Sequence, residues 1–205
     1  MRNPRLAAVS VSSLVVFALV AGLACACNSP PAPPTPTPPA TPVAPAAPGA
    51  AASQAPDAVD ALVGKPAPDF NAPAQDGTTV HLSALKGKPV VVYFYPKDET
   101  PGCTKEACSF RDSWAALAKT GAVLVGVSAD TLASHKQFVE HWKLPFLLAS
   151  DPDGSIGKLY GVPFDGVLHR QTFVIGADGL VKKVYRKVDV TTHAQQILDD
   201  LSHPS

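Results

Sequence analysis

Residues 29–56 read SPPAPPTPTPPATPVAPAAPGAAASQAP, a stretch from which no stable fold can be built. It has almost no large apolar side chains to offset the entropy of ordering its backbone, and its prolines favour extended polyproline II. At about 3.1 Å per residue such a segment acts as a semi-rigid spacer several nanometres long. Half of the chain's 22 prolines lie between Pro30 and Pro56, so the composition changes abruptly beyond that point. About 150 of the 205 residues remain for folding. That length supports one domain whose core buries roughly two-thirds of its unfolded surface. The formal net charge is +0 and no Lys/Arg run breaks the neutrality, which argues against a nucleic-acid partner.

The N-terminus reads as an export signal. Arg2 and Arg5 supply positive charge, and LAAVSVSSLVVFALVAGLA (6–24) is an uncharged apolar core followed by small residues and cysteines. The run is about long enough to remain as a membrane anchor instead. A cysteine after small residues and an apolar core resembles the lipobox of bacterial lipoproteins. Cys25 and Cys27 both fit its loose form, although neither has the preferred leucine three positions upstream. Cys27 is the favoured lipidation residue, because Asn28 and Ser29 then open the polar tether. The expected organisation is a leader over 1–27, a Pro/Ala-rich tether over 28–61 and a folded domain over 62–205. The expected location is the periplasmic side of a membrane, held there by a lipid anchor.

From Val63 onward, strands and helices alternate. TVHLSAL (79–85) alternates polar and apolar residues, and PVVVYFYP (89–96) is the continuous apolar run of a buried central strand. Residues 103–119 place Ala107, Phe110, Trp114 and Leu117 at helical spacing, with Gly121 as the stop. AVLVGVSA (122–129) predicts a second buried strand, 131–142 a helix, and FLLAS (146–150) a short strand before a DPDG turn. QTFVIGADGLVKKVYR (171–186) predicts a hairpin turned at Ala177-Asp178-Gly179, and 192–202 a final amphipathic helix. The fold class is α/β, a sandwich with a mixed central sheet flanked by helices.

The chemistry concentrates in KDETPGCTKEACSF (97–110). Thr100 is a good N-cap, Pro101 suits the first helical position, and Cys103 then falls in the first turn. Unpaired N–H groups and the positive dipole end there favour a thiolate, the nucleophilic form of cysteine. The alternative is an inert, buried thiol. Cys108 lies five residues on, about 140° around the helix and about 7.5 Å along it. A disulfide needs Cα atoms roughly 4.4–6.8 Å apart, so an intact helix cannot join the two. If they pair, the helix start must unwind. A static staple closing so short a loop would add little stability, which favours a redox-active pair. The sulfur, rather than a haem, flavin or metal, would then supply the chemistry. Arg111 is expected to pair with Asp112 or Glu106. The six histidines stand singly, with no metal-ligand spacing to a cysteine.

YPKDETPGCTKEACSFRD (95–112) resembles the active-site segment of peroxiredoxins, specifically the bacterioferritin comigratory protein or peroxiredoxin Q group, within the thioredoxin-like superfamily. The family's Pro-x-x-x-Thr-x-x-Cys stands here as Pro96, Thr100 and Cys103, and its added cysteine as Cys108. VGKPAPDF (63–70), GSIGKLYGV (154–162) and HRQTFVIGADG (169–179) resemble its other motifs, so the likeness covers nearly all of 62–203. The resemblance implies a thioredoxin-like fold, no cofactor, a peroxide substrate and recycling by a thioredoxin-like dithiol reductant. It implies that Cys103 is the peroxidatic thiolate and that Cys108 resolves it through a Cys103–Cys108 disulfide. Arg170 would stabilise the charge developing as the O–O bond breaks, Thr100 would hydrogen-bond the sulfur and the peroxide, and Pro96 would shield the site. Many relatives in the group are monomers, and a monomer is expected.

Three other readings share parts of this pattern. An exported thiol–disulfide oxidoreductase expects CxxC, whereas the spacing here is CTKEAC. A copper-binding thioredoxin-like protein expects CxxxC with a distant histidine, for which His169 is the candidate. A scaffolding lipoprotein gives no reason for Thr100, Cys103 and Arg170 to occur together.

Overall fold

The structure, a computed structural model, describes residues 61–203. The leader, most of the tether and both candidate lipidation cysteines lie outside the described residues. The elements run β1 (Asn71–Pro73), β2 (Thr79–His81), a 3₁₀ turn (Leu82–Leu85), β3 (Val90–Phe94), α1 (Pro101–Asp112), α2 (Trp114–Lys119) and β4 (Val123–Ser128). They continue with α3 (Leu132–Trp142), β5 (Leu147–Ser150), α4 (Ser155–Leu159), β6 (Gln171–Ile175), β7 (Val181–Tyr185) and α5 (His193–Ser202).

Every residue of β3 is buried, as its unbroken apolar, β-branched and aromatic composition dictates for a strand covered on both faces. It lies at the centre of a five-stranded sheet ordered β5-β4-β3-β6-β7. β3, β4 and β5 run parallel, β6 runs antiparallel to β3, and β7 antiparallel to β6, giving the mixed α/β sandwich that the sequence predicts. Successive β3 side chains divide between two cores. Val90, Val92 and Phe94 meet Phe70, Tyr160, Phe173 and Ile175 on one face. Val91, Tyr93 and the following Tyr95 meet Ala107, Phe110, Phe138 and Ile197 from helices on the other. Gly126 in β4 makes room for this second core, because a Cβ there would lie 2.7 Å from the Tyr93 hydroxyl oxygen and 2.6 Å from Leu148.

The structure differs from the sequence pattern at three places. Residues 79–85 form a strand only as far as His81. Beyond it, the Asp69 carboxylate takes the Ser83 amide at 2.9 Å, and the chain turns into a 3₁₀ helix. The single helix predicted through Lys119 is two helices, α1 and α2, which break at Ser113 where ψ is 0°. The break lets Trp114 pack on Phe146, with ring centroids 6.0 Å apart, while Phe110 stays wholly buried. The DPDG turn also leads into α4, which the sequence reading leaves out. Asp151, 1% exposed, accepts the amides of Ile156 and Gly157 at 3.1 and 2.9 Å and so holds the start of that helix.

Candidate active site

The Tyr95 amide still reaches the Val127 carbonyl, at 3.1 Å, before Pro96, which has no N–H, ends the pairing. Pro96 is half-buried at the head of a loop that turns its polar groups inward. Asp98, 4% exposed, accepts the Tyr95 hydroxyl at 2.8 Å and the Ser134 hydroxyl at 2.7 Å, and faces His135 Nδ1 at 2.9 Å. Its own amide donates to Asp130 at 2.8 Å. Buried polar atoms are kept only when partnered in this way, and these bonds fix the loop onto the start of α3. Glu99 follows in the left-handed region at φ 58°, and Thr100 then takes the extended N-cap conformation in front of Pro101.

The first helical bond of α1 runs from Thr104 N–H to Thr100 O, at 2.8 Å. The amides of Gly102 and Cys103 precede it and have no acceptor within the helix. Cys103 is 2% exposed, its side chain part of the core layer that holds Tyr93, Tyr95 and Phe110. The pairing of Phe94 with Gln171 places the start of β6 beside the end of β3. Arg170, one residue earlier, therefore emerges next to the loop. Its Nη2 donates to Cys103 Sγ at 3.0 Å, and its Nη1 pairs with the Glu106 carboxylate. Glu106 is 1% exposed, and its second oxygen, Oε1, has no partner. Burial pushes its carboxyl up to about 7, against the downward pull of Arg170.

The structure thus brings Cys103 and Arg170 together and adds Glu106, which the sequence reading considers only as a partner for Arg111. The signal for it was its position three residues after Cys103, on the same helical face. Arg111 pairs with Asp112, one of its two expected partners, and donates to the Trp142 carbonyl at 2.9 Å. Thr100 occupies the N-cap, but its side chain makes no cap bond. Its hydroxyl donates to the Lys97 carbonyl at 2.9 Å, as the turn through Glu99 folds the chain back on itself.

Cys108 is not brought to Cys103. Both are free thiols on one unbroken helix, Cys108 half-buried beside a shallow groove with Lys105, Ser109 and Thr191. Burial pushes the Cys108 thiol up, with Arg111 drawing it the other way. His169 turns to Asp165, 3.3 Å away. Among the described residues, no three His, Cys, Asp or Glu side chains converge as a metal site.

A mixed sheet whose central strand leads into a cysteine-bearing helix start defines a thioredoxin-like thiol protein. Residues 63–184 match the AhpC/TSA family, and the chain belongs to that family, the peroxiredoxins, in its bacterioferritin comigratory protein or peroxiredoxin Q group. A Coxiella burnetii protein assigned as peroxiredoxin bcp is 43% identical over 147 residues, covering 68% of this chain and 97% of that one. Chloroplastic peroxiredoxin Q of rice, Oryza sativa subsp. japonica, is 53% identical over 125 residues, 60% of this chain and 58% of the rice protein. Among solved structures, the bacterioferritin comigratory protein of Xanthomonas campestris, described for its alkyl peroxide reduction activity, superposes with a TM-score of 0.62. It shares 34% identity over 65% of this chain and 90% of its own.

Proposed function

We propose that this chain is a thiol peroxidase that reduces hydrogen peroxide and organic hydroperoxides, with Cys103 as nucleophile and Cys108 as resolving thiol. The observation that carries the reading is the Arg170 guanidinium 3.0 Å from the Cys103 sulfur. In the first step the Cys103 thiolate attacks one peroxide oxygen. An S–O bond forms, the O–O bond breaks, and the second oxygen takes a proton to leave as water or alcohol, with Cys103 as its sulfenic acid. Arg170 and the two open amides at the start of α1 lie where that oxygen gains charge, and such donors lower the barrier most when fixed in advance. The Thr100 hydroxyl gives its proton to Lys97, so its lone pairs are open to the peroxide O–H.

In the second step the Cys108 thiolate attacks Cys103 Sγ. The S–S bond forms, the S–O bond breaks, and the hydroxyl leaves with a proton as water. Because α1 is unbroken between the two cysteines, its first turns must open for this step. A thioredoxin-like dithiol then supplies two electrons and returns both thiols. We place the enzyme outside the cytoplasm, as a monomer on a lipid-anchored tether through Cys27 or Cys25. The copper-binding alternative is disfavoured by the guanidinium, because a cation already holds the sulfur that a metal would need. The oxidoreductase alternative lacks a second thiol within reach of Cys103 in the wound helix.

The test is the mass of the pre-reduced chain after one equivalent of hydrogen peroxide. The expected result is loss of two hydrogens, mapped to a Cys103–Cys108 disulfide, and no peroxide turnover by Cys103→Ser. Oxygen gained on Cys103 alone removes Cys108 from the cycle. No change at either cysteine overturns the peroxidase reading.

A further inference from the structure

Only two described residues other than glycine have positive φ, Lys143 at 56° and Glu99 at 58°. Lys143 is the C-cap of α3, a place where that conformation commonly ends a helix. Glu99 has no such reason. A side chain with a Cβ is held in the left-handed region only when its surroundings enforce it; beside the Asp98 and Thr100 bonds that flank it, the exposed Glu99 carboxylate makes two contacts of its own. Oε2 accepts the Trp142 indole N–H at 2.9 Å, and Oε1 faces His141 Nδ1 at 3.0 Å. The Trp142 carbonyl in turn accepts Arg111 Nη1 at 2.9 Å. The last turn of α3 therefore grips the chain at Glu99, before Cys103, and again at Arg111, beyond Cys108. The two grips bracket the segment that contains both thiols.

We infer that Glu99 is a positioning residue for the two-step reaction. Through Trp142 and His141 it holds the left-handed turn that aims the first turn of α1 at Arg170, and it keeps that turn wound until Cys103 is oxidised. This rests on the roles proposed above for Cys103 and Cys108. It gives Glu99 opposite effects on the two steps. Peroxide attack needs the wound helix and gains from the grip, whereas resolution needs the open helix and is slowed by it. A residue that serves only general stability has no reason to move the two rates in opposite directions.

The experiment uses the full chain, pre-reduced, as wild type, Glu99→Gly, Glu99→Gln and Trp142→Phe. Each is prepared with Cys108 present and as Cys108→Ser. Glycine takes the left-handed conformation without cost, so Glu99→Gly removes the carboxylate and spares the turn. Trp142→Phe removes the indole donor from the other side and leaves Glu99 unchanged. Quenched-flow mass spectrometry follows oxygen gain on Cys103 in the Cys108→Ser chains and disulfide closure in the others. In Glu99→Gly and Trp142→Phe, oxygen gain should slow about three- to tenfold while closure speeds by a similar factor. Glu99→Gln, which keeps an acceptor for the indole, should stay within about twofold on both. Rates that do not change, or change together, overturn the inference. So does a response in Glu99→Gly without one in Trp142→Phe. If wild type gains no oxygen on Cys103, the peroxidase reading fails, and this inference fails with it.

Discussion

Arg170 holds two acidic groups with one guanidinium, the Cys103 sulfur on Nη2 and the Glu106 carboxylate on Nη1. Lysine carries the same charge but not the planar fork, so it can serve one partner at a time. Arg170→Lys should lower kcat/KM for peroxide about 100-fold, read by stopped-flow oxidation of the reduced chain, with the fold intact by circular dichroism. At this scale, local chemistry was legible and distant partners were not. Thr100, Pro101 and Cys103 could be read because N-cap, first-turn proline and helix-start thiol are neighbours in sequence. Arg170 came from resemblance alone, since 67 residues separate it from Cys103. Glu106 and Glu99 look like ordinary solvent-facing acids in the sequence. Only the fold shows one of them nearly shut from water and the other tied to the far end of α3.

The α1 helix takes part of its support from α5, where His193 stands its ring edge-on to Phe110 at 5.7 Å and bonds Thr172 at 2.8 Å. Burial pushes His193 down from 6.5 to about 4. At this site the unfolded chain therefore binds a proton at a pH where the folded chain refuses it, and the contribution of His193 to stability falls as pH drops from about 6.5 to about 4. At about 1.4 kcal/mol per pKa unit the loss is roughly 3 kcal/mol. The buried Glu106 carboxyl, raised to about 7, acts in the opposite direction, so urea titrations should show this slope as the difference between the native chain and His193→Gln, the native chain losing stability relative to the variant as pH falls. The element pattern was mostly readable, because a fully apolar strand and a helix with its cap leave strong periodic signals. The break at Ser113 was not. Its backbone bonds to Ser109 and Leu117 persist through it, and the break shows only in the Ser113 ψ of 0° and in the packing of Trp114 against Phe146.

For the molecule as a whole, the sheet order decides where chemistry can occur. β3 delivers the loop and Cys103, while the antiparallel return of β6 delivers Arg170 to the same end. The contacts that join Cys103, Arg170 and Glu106 all lie within the described residues 61–203. A chain beginning at Ala61 should therefore reduce peroxide at the rate of the full chain, whereas only the full chain should sediment with membranes. Replacement of Cys25 and Cys27 together by serine should release it.

The register that sets Phe94 against Gln171 also bears on how the chain is made. During synthesis or passage through a membrane, Cys103 emerges long before Arg170. A chain that has appeared only as far as α4 has its thiol but not the guanidinium that acts on it. The β3–β6 pairing forms late and spans a long loop, and such non-local contacts are among the slower ones to form. Reactivity toward peroxide is thus a property of the finished domain, and an unfinished chain meets oxidants with an unassisted thiol.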